Sequence, residues 1–147
     1  MQQRSYYRRS VKMNIKTIEL EFKKDREGLG LIDITRPVEH SVVDSEIQNG
    51  IVTVHSADPN VCITTMEFEP GTIHDIKEAF ERLATPESKE KNGKAERQDA
   101  RPVLVGPSIT IPFKDNRIVI GKWQEIILMD FDGVQNGKKV IVQVMGE

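Results

Sequence analysis

From residue 103 onward, short apolar runs alternate with turn residues at close intervals. Val103-Leu104-Val105 precedes Gly106-Pro107-Ser108, and Ser108 to Phe113 alternates in polarity. Lys114-Asp115-Asn116 makes a turn, and Arg117 to Ile120 returns. Gly121-Lys122-Trp123-Gln124 leads into a run from Trp123 to Phe131. Asp132-Gly133 and Asn136-Gly137 then bracket a turn before Lys138 to Met145. Strand-length runs this close together, joined by turn residues, predict an antiparallel β unit. Trp123 is the only tryptophan. It is expected to be largely buried, as an anchor of that sheet.

The first half mixes both periods. Ile18, Leu20 and Phe22 alternate with Thr17, Glu19 and Glu21, so residues 14–22 read as a half-buried strand. Leu31 to Ile34 reads as a second. Thr35 is placed to cap a helix with Pro37 in its first turn, and Val38, Val42, Val43 and Ile47 share one face. Ile51 to His55 and Val61 to Phe68 read as strands, separated by Ser56-Ala57-Asp58-Pro59-Asn60. A second helix opens at Glu69-Pro70-Gly71-Thr72, with Ile73, Ile76, Phe80 and Leu83 inward and Asp75 in its first turn. Without regular βαβ alternation, the fold class is α+β, a mainly antiparallel sandwich or mixed sheet with two helices.

At 147 residues the chain fits one domain, expected over residues 14–147. Residues 1–13 carry Arg4, Arg8, Arg9 and Lys12 and no acid, and read as a flexible basic extension. Residues 85–101 are charged and poor in apolar side chains, so they read as a long loop. A net charge of −2 gives no general electrostatic case for nucleic acid. No apolar run nears the roughly 20 residues of a membrane span. One cysteine, Cys62, excludes an internal disulfide framework, which fits the cytoplasm.

No Walker loop, dinucleotide fingerprint, nucleophile elbow or zinc-protease helix occurs. Cys62, between Val61 and Ile63 in a strand, reads as a buried structural thiol. His40, His55 and His74 match no local metal-ligand spacing. His40 and His74 are expected on solvated helix faces; His55 ends a strand, where functional groups are often placed. Asp58, Glu67, Asp75 and Asp99 fall at turns, strand ends or a helix start. Converging carboxylates hold hard cations. The plainer reading makes Asp58 a turn residue, Asp75 a helix-terminus residue and Asp99 a solvated loop residue.

The chain resembles the YjbQ-like family, named for a secondary thiamine-phosphate synthase activity. The matching residues are Leu104-Val105-Gly106-Pro107-Ser108, Pro112, Asp115-x-Arg117, Gly121-x-Trp123-Gln124, Asp130-Phe131-Asp132-Gly133 and Gly146-Glu147. Earlier matches are Asp33-Ile34-Thr35, Gly50 to Val54 and Glu67-x-Glu69-Pro70-Gly71-x-x-x-Asp75. The resemblance spans roughly residues 15–147 and implies an α+β sandwich and a homotrimer. It also implies a site lined by histidines: His-Thr-Thr-Ala after the third strand, a second histidine, and an Ala-His before the Gly-Pro-Ser strand. Ungapped spacing puts Asp58-Pro59-Asn60 at His-Thr-Thr, Met66-Glu67 at an Asn-Glu pair and Asp99 at the Ala-His histidine. A gapped alternative aligns His55-Ser56-Ala57 with His-Thr-Thr.

Imidazole is a borderline metal ligand and moves protons near neutrality, whereas carboxylate is a harder ligand and a poor proton donor there. The expectation is therefore a diverged, trimeric member whose histidine site is lost or rebuilt, which leaves room for a non-catalytic ligand-binding or assembly role. The alternative is an enzyme of thiamine-phosphate synthase type with a divalent metal such as Mg²⁺, Mn²⁺ or Ca²⁺. It would be held by Asp58, Glu67 and Asp99, supported by Asp75. A small phosphorylated ligand would then need Lys138 or Arg117 to offset its charge.

Overall fold

The computed structural model describes residues 10–84 and 99–147. Most of the basic extension (residues 1–9) and of the charged loop (residues 85–98) lies outside them. Among the described residues the order is β1 (Asn14–Phe22), β2 (Gly30–Asp33), α1 (Thr35–Asp44), β3 (Gly50–His55), β4 (Val61–Glu67) and α2 (Pro70–Leu83). Then follow α3 (Arg101–Val105), β5 (Ser108–Lys114), β6 (Arg117–Ile118), β7 (Gln124–Asp130) and β8 (Lys138–Gly146).

The strands form two antiparallel sheets, ordered β1-β8-β3-β5-β6 and β2-β7-β4. Period-two alternation in β3 and β8 turns Val52, Val54, Val140, Val142 and Val144 inward. They meet Val61, Ile63, Ile126 and Leu128 of the smaller sheet, with Val38 and Val42 of α1. The other face of the smaller sheet carries Cys62, Ile127 and Met129 against Phe80 and Ile76 of α2. That double coverage explains the unbroken apolar run Ile126-Ile127-Leu128-Met129, which a one-sided strand would not need. The α+β, mainly antiparallel architecture agrees with the sequence.

Turn chemistry fixes the registers. Asp115 and Asn116 both adopt positive φ, 51° and 64°, between the paired Lys114 and Arg117. That is the two-residue hairpin turn whose twist matches the strands. The Asn116 amide donates to Val42 O (3.2 Å) and Ile47 O (2.8 Å), tying this hairpin to α1.

Several expectations need correction. There are three described helices, not two: residues 103–105 lie in α3, not a strand. Pro102 sits in its first turn, where it needs no N–H donor, and Gly106 ends it at φ 102°. Trp123 is not buried; it is 69% exposed, and β7 begins only at Gln124. Its ring carries the Lys122 ammonium 5.1 Å from its centroid instead of core neighbours. The return strand after the hairpin is only Arg117–Ile118. Val43 and Leu83 are exposed. Thr35 begins α1 rather than capping it: its hydroxyl donates to Asp33 (2.6 Å) and accepts from Ile126 N (2.8 Å). Asp75 lies beyond the first turn of α2, whose N-cap is Glu69, accepting from Thr72 N at 2.7 Å.

Candidate functional site

The end of β3, the start of β4 and the α3–β5 corner enclose an open cavity of about 440 Å³. Its walls are His55, Ser56, Ala57, Asp58 and Pro59 on one side, and Pro102, Val103 and Pro107 on the other. Backbone bonds stitch these walls together. Ser56 N donates to Pro107 O (2.9 Å), Ile63 N to Gly106 O (3.2 Å) and Val61 N to Asp58 O (3.2 Å). The buried Ser56 hydroxyl accepts from Asp58 N (3.2 Å), and Asp58 Oδ1 accepts from Asn60 N (2.8 Å). The cavity edge is therefore a fixed turn rather than a loose loop.

Among the described residues two ionisable side chains, His55 and Asp58, line it, and they are in different situations. Among the described residues, the half-buried His55 imidazole makes no hydrogen bond or ion pair. Asp58 is committed: its Oδ2 takes a proton donor from Lys138 Nζ at 3.3 Å. Lys138 is 3% exposed and also donates to Asp132 Oδ2 at 2.5 Å. Burial by itself would lower the Lys138 ammonium. The hydrogen bond to Asp132 and the charges of Asp130, Asp58 and Asp132 outweigh it and hold Lys138 above its ordinary value. For Asp132, burial pushes upward, but the Lys138 hydrogen bond and charge win and hold it below the usual carboxylate range.

Beneath this pair lie two more buried charges. Lys24 donates from Nζ to Gly28 O (2.7 Å) and to Asp132 O. Gly30 makes room for its stem, since a Cβ there would come within 2.8 Å of Lys24 Cβ. Asp130 is fully buried and accepts from Asp132 N at 2.9 Å through Oδ1. Burial raises its carboxyl, against the opposing Asp132 N–H, Lys24 and Lys138.

Within one chain the structure does not bring together the carboxylates that the ungapped family spacing suggests. Asp58 precedes β4 and Glu67 ends it. Six strand steps of about 3.3 Å separate Val61 from Glu67, so the two acids lie roughly 20 Å apart within one chain. Asp99 is buried, not solvated. It binds the Arg101 guanidinium at 3.0 Å (Nε) and 2.6 Å (a terminal nitrogen). Arg101 in turn lies 4.8 Å from the Phe131 ring centroid and donates to Phe80 O. This is a brace joining α2, α3 and the end of β7.

Asp75 is exposed, near His74 and Glu78 on α2, with His74 3.6 Å from Glu78. His40 is exposed. Cys62 is fully buried, and burial pushes its thiol up to about 12, which suits a structural role. Arg117 lies in β6, away from the cavity walls, which contain no lysine or arginine among the described residues. Sequence reasoning missed Lys24, Asp130 as a buried charge, and Lys138 as a partner of Asp58. A signal existed: Lys24 falls in phase with Ile18, Leu20 and Phe22, and Lys138 in phase with Val140, Val142 and Val144. A charged residue in phase with a buried stripe needs a buried partner.

The sequence model of the family described as UPF0047 protein YjbQ-like matches residues 16–147. A UPF0047 protein of Methanothermobacter thermautotrophicus is 32% identical over 140 residues, 93% of this chain and 96% of that protein. One from Archaeoglobus fulgidus is 30% identical over 125 residues, 83% and 96% of the two chains. Among solved structures, a YbjQ-like protein of unknown function from Sulfolobus solfataricus superposes with a TM-score of 0.80. It is 26% identical, with 92% of this chain and all of that chain covered.

Proposed function

The chain belongs to the YjbQ-like UPF0047 family, and we propose that it is a member whose histidine site has been rebuilt as a small-molecule binding cavity around His55, without synthase catalysis. The observation that carries this is a contrast between His55 and the carboxylates that spacing had set beside it. His55 is unpartnered among the described residues, while Asp58 is tied to Lys138 and Asp99 to Arg101. A carboxylate already neutralised by a buried ammonium or guanidinium is a poor recruit for a divalent cation. His55-Ser56-Ala57 sits at the end of the third strand, which supports the gapped alignment over the ungapped one. Among the described residues the cavity walls are largely apolar and carry no lysine or arginine, which favours an uncharged ligand over a phosphorylated one. A cytoplasmic location fits the buried, reduced Cys62. No described helix is long and apolar enough to cross a membrane. The test is synthesis of thiamine phosphate from the pyrimidine diphosphate and the thiazole phosphate with Mg²⁺ or Mn²⁺ supplied. No product above the protein-free control is expected; clear turnover would overturn the reading.

The proposal keeps the homotrimer that the family resemblance implies. Support comes from the outer face of the larger sheet. Ile15, Met145, Ile51 and Pro112 stand in register across four strands, and Val119 N bonds to Pro112 O. Beside that apolar row runs an uncharged one, Thr17, Gln143, Thr53 and Thr110. Trp123, Val119 and Ile15 are all more than half exposed. Exposed tryptophan and aligned apolar rows suit a subunit interface. Ile51→Glu is expected to reduce the mass in light scattering from three times 16.7 kDa toward one chain, with far-ultraviolet dichroism unchanged. An unaltered trimer would remove this face from the interface.

A further inference from the structure

We propose that Asp130 is a proton-sensing group that sets, through Lys138, whether Asp58 meets the cavity paired or free. The proposal rests on the cavity being the ligand site, but its mechanism is a property of the protein alone.

Asp130 Oδ2 is buried and has no hydrogen-bond partner among the described residues. An ammonium has three N–H donors. Lys24 uses two on Gly28 O and Asp132 O, and Lys138 uses two on Asp132 and Asp58. Each therefore keeps one donor, and both charges act on Asp130. The groups facing Asp130 are Lys24 from the β1–β2 connection, Lys138 from β8 and Asp132 next along its own chain, with Asp58 beyond Lys138. Its ladder partners, Gly30 on β2 and Val61 on β4, bring no charge.

Charge balance differs sharply between the two states of Asp130. With Asp130 neutral, Asp58 and Asp132 face two ammonium groups. With Asp130 ionised, three carboxylates compete for the same two. An ionised, buried Oδ2 without a donor is unfavourable, so it pulls the Lys138 ammonium bodily toward itself, and that movement lengthens the contacts Lys138 already makes. The Lys138–Asp132 contact is 2.5 Å and the Lys138–Asp58 contact 3.3 Å. The longer one yields first. Proton loss at Asp130 thus releases Asp58, already 30% exposed, into the cavity wall.

The sign is fixed by burial, which raises the folded carboxyl above its unfolded value. Its contribution to stability is complete below the ordinary carboxylate range and is lost as pH rises through the folded value. The switch therefore opens on the alkaline side.

The test is a carboxyl carbon-13 titration of the full chain labelled at aspartate. Asp130 should inflect above the ordinary carboxylate range, and Asp58 should show a second inflection at the same midpoint. Asp130→Asn, which resembles the neutral form, should abolish that second inflection while the fold persists. Should the variant not fold, coincidence of the two midpoints in the wild type decides alone. Asp130 titrating in the ordinary range, or Asp58 indifferent to its midpoint, overturns the proposal. Neither result depends on any cavity ligand, so failure here is distinct from failure of the binding reading.

Discussion

Lys138→Met is expected to lower the unfolding free energy by about 3 kcal/mol at neutral pH, the low end of the range for breaking a buried ion pair. The low end applies because Asp132 and Asp58 are 21% and 30% exposed and regain some water. Methionine fills much of the lysine stem's volume, so the loss is chiefly electrostatic. It strands Asp132 and Asp58 beside the buried Asp130, with Lys24 as the remaining nearby cation. The cost should shrink in acid. Asp132 has a depressed folded value, so its contribution is present above the unfolded value and lost as pH falls through the folded one. Lys138 is raised, so its contribution stays complete until pH rises through its unfolded value. Lys139→Met is the control: its ion pair with Glu19 at 3.3 Å is largely exposed, and less than about 0.5 kcal/mol should follow. Denaturant melts of the two variants decide; equal small losses would mean that the cluster does not brace the cavity wall.

Gly146→Ala should cost about as much, for a steric reason. Gly50 and Gly146 face each other across β3 and β8. A Cβ on Gly146 would overlap Asn49 O and stand 2.8 Å from Gly50 Cα. One on Gly50 would overlap Met145 O and stand 2.7 Å from Gly146 Cα. Both obstacles are backbone, so no side chain can swing aside. Overpacking costs about 1–3 kcal/mol where neighbours can adjust, and this site belongs at the upper end. The strain would also disturb the bonds from Gln48 N and Asn49 N to Glu147 O, at 2.9 and 3.0 Å. Gly71→Ala gives the contrast: its Cβ would lie 3.1 Å from the Glu69 carboxylate, a side chain able to shift. Melts showing Gly146→Ala as mild as Gly71→Ala would contradict the close approach.

The two glycines show what local sequence could and could not reveal. Gly50 and Gly146 were visible as motif residues, but the reason for them is a contact between strands 96 positions apart. Strands with clean alternation, such as β1, β3 and β8, were legible because one face of each packs on the core, fully in β3 and β8 and partly in β1. The run Val103-Leu104-Val105 was misread because β-branched residues suggest a strand. The decisive signals, Pro102 and Gly106, mark the two ends of a short helix instead. Trp123 was misread because large aromatics usually pack inward. Its partner surface, on the proposed assembly, belongs to another subunit. The candidate site was legible only in pieces. His55 at a strand end was visible, as was Asp58 in a turn. The ion pair from Asp58 to Lys138 spans 80 positions, and no spacing rule reaches that far.

That ion pair also separates the two chemistries the family resemblance allows. The most direct measurement compares this chain with a histidine-bearing member of the family for thiamine-phosphate synthesis. Both receive the same pyrimidine diphosphate, thiazole phosphate and Mg²⁺ or Mn²⁺. A rebuilt, non-catalytic cavity predicts product from the relative and none above background from this chain. Comparable turnover from both would contradict it, and would return Asp58, Glu67 and Asp99 to consideration as a catalytic set shared between subunits.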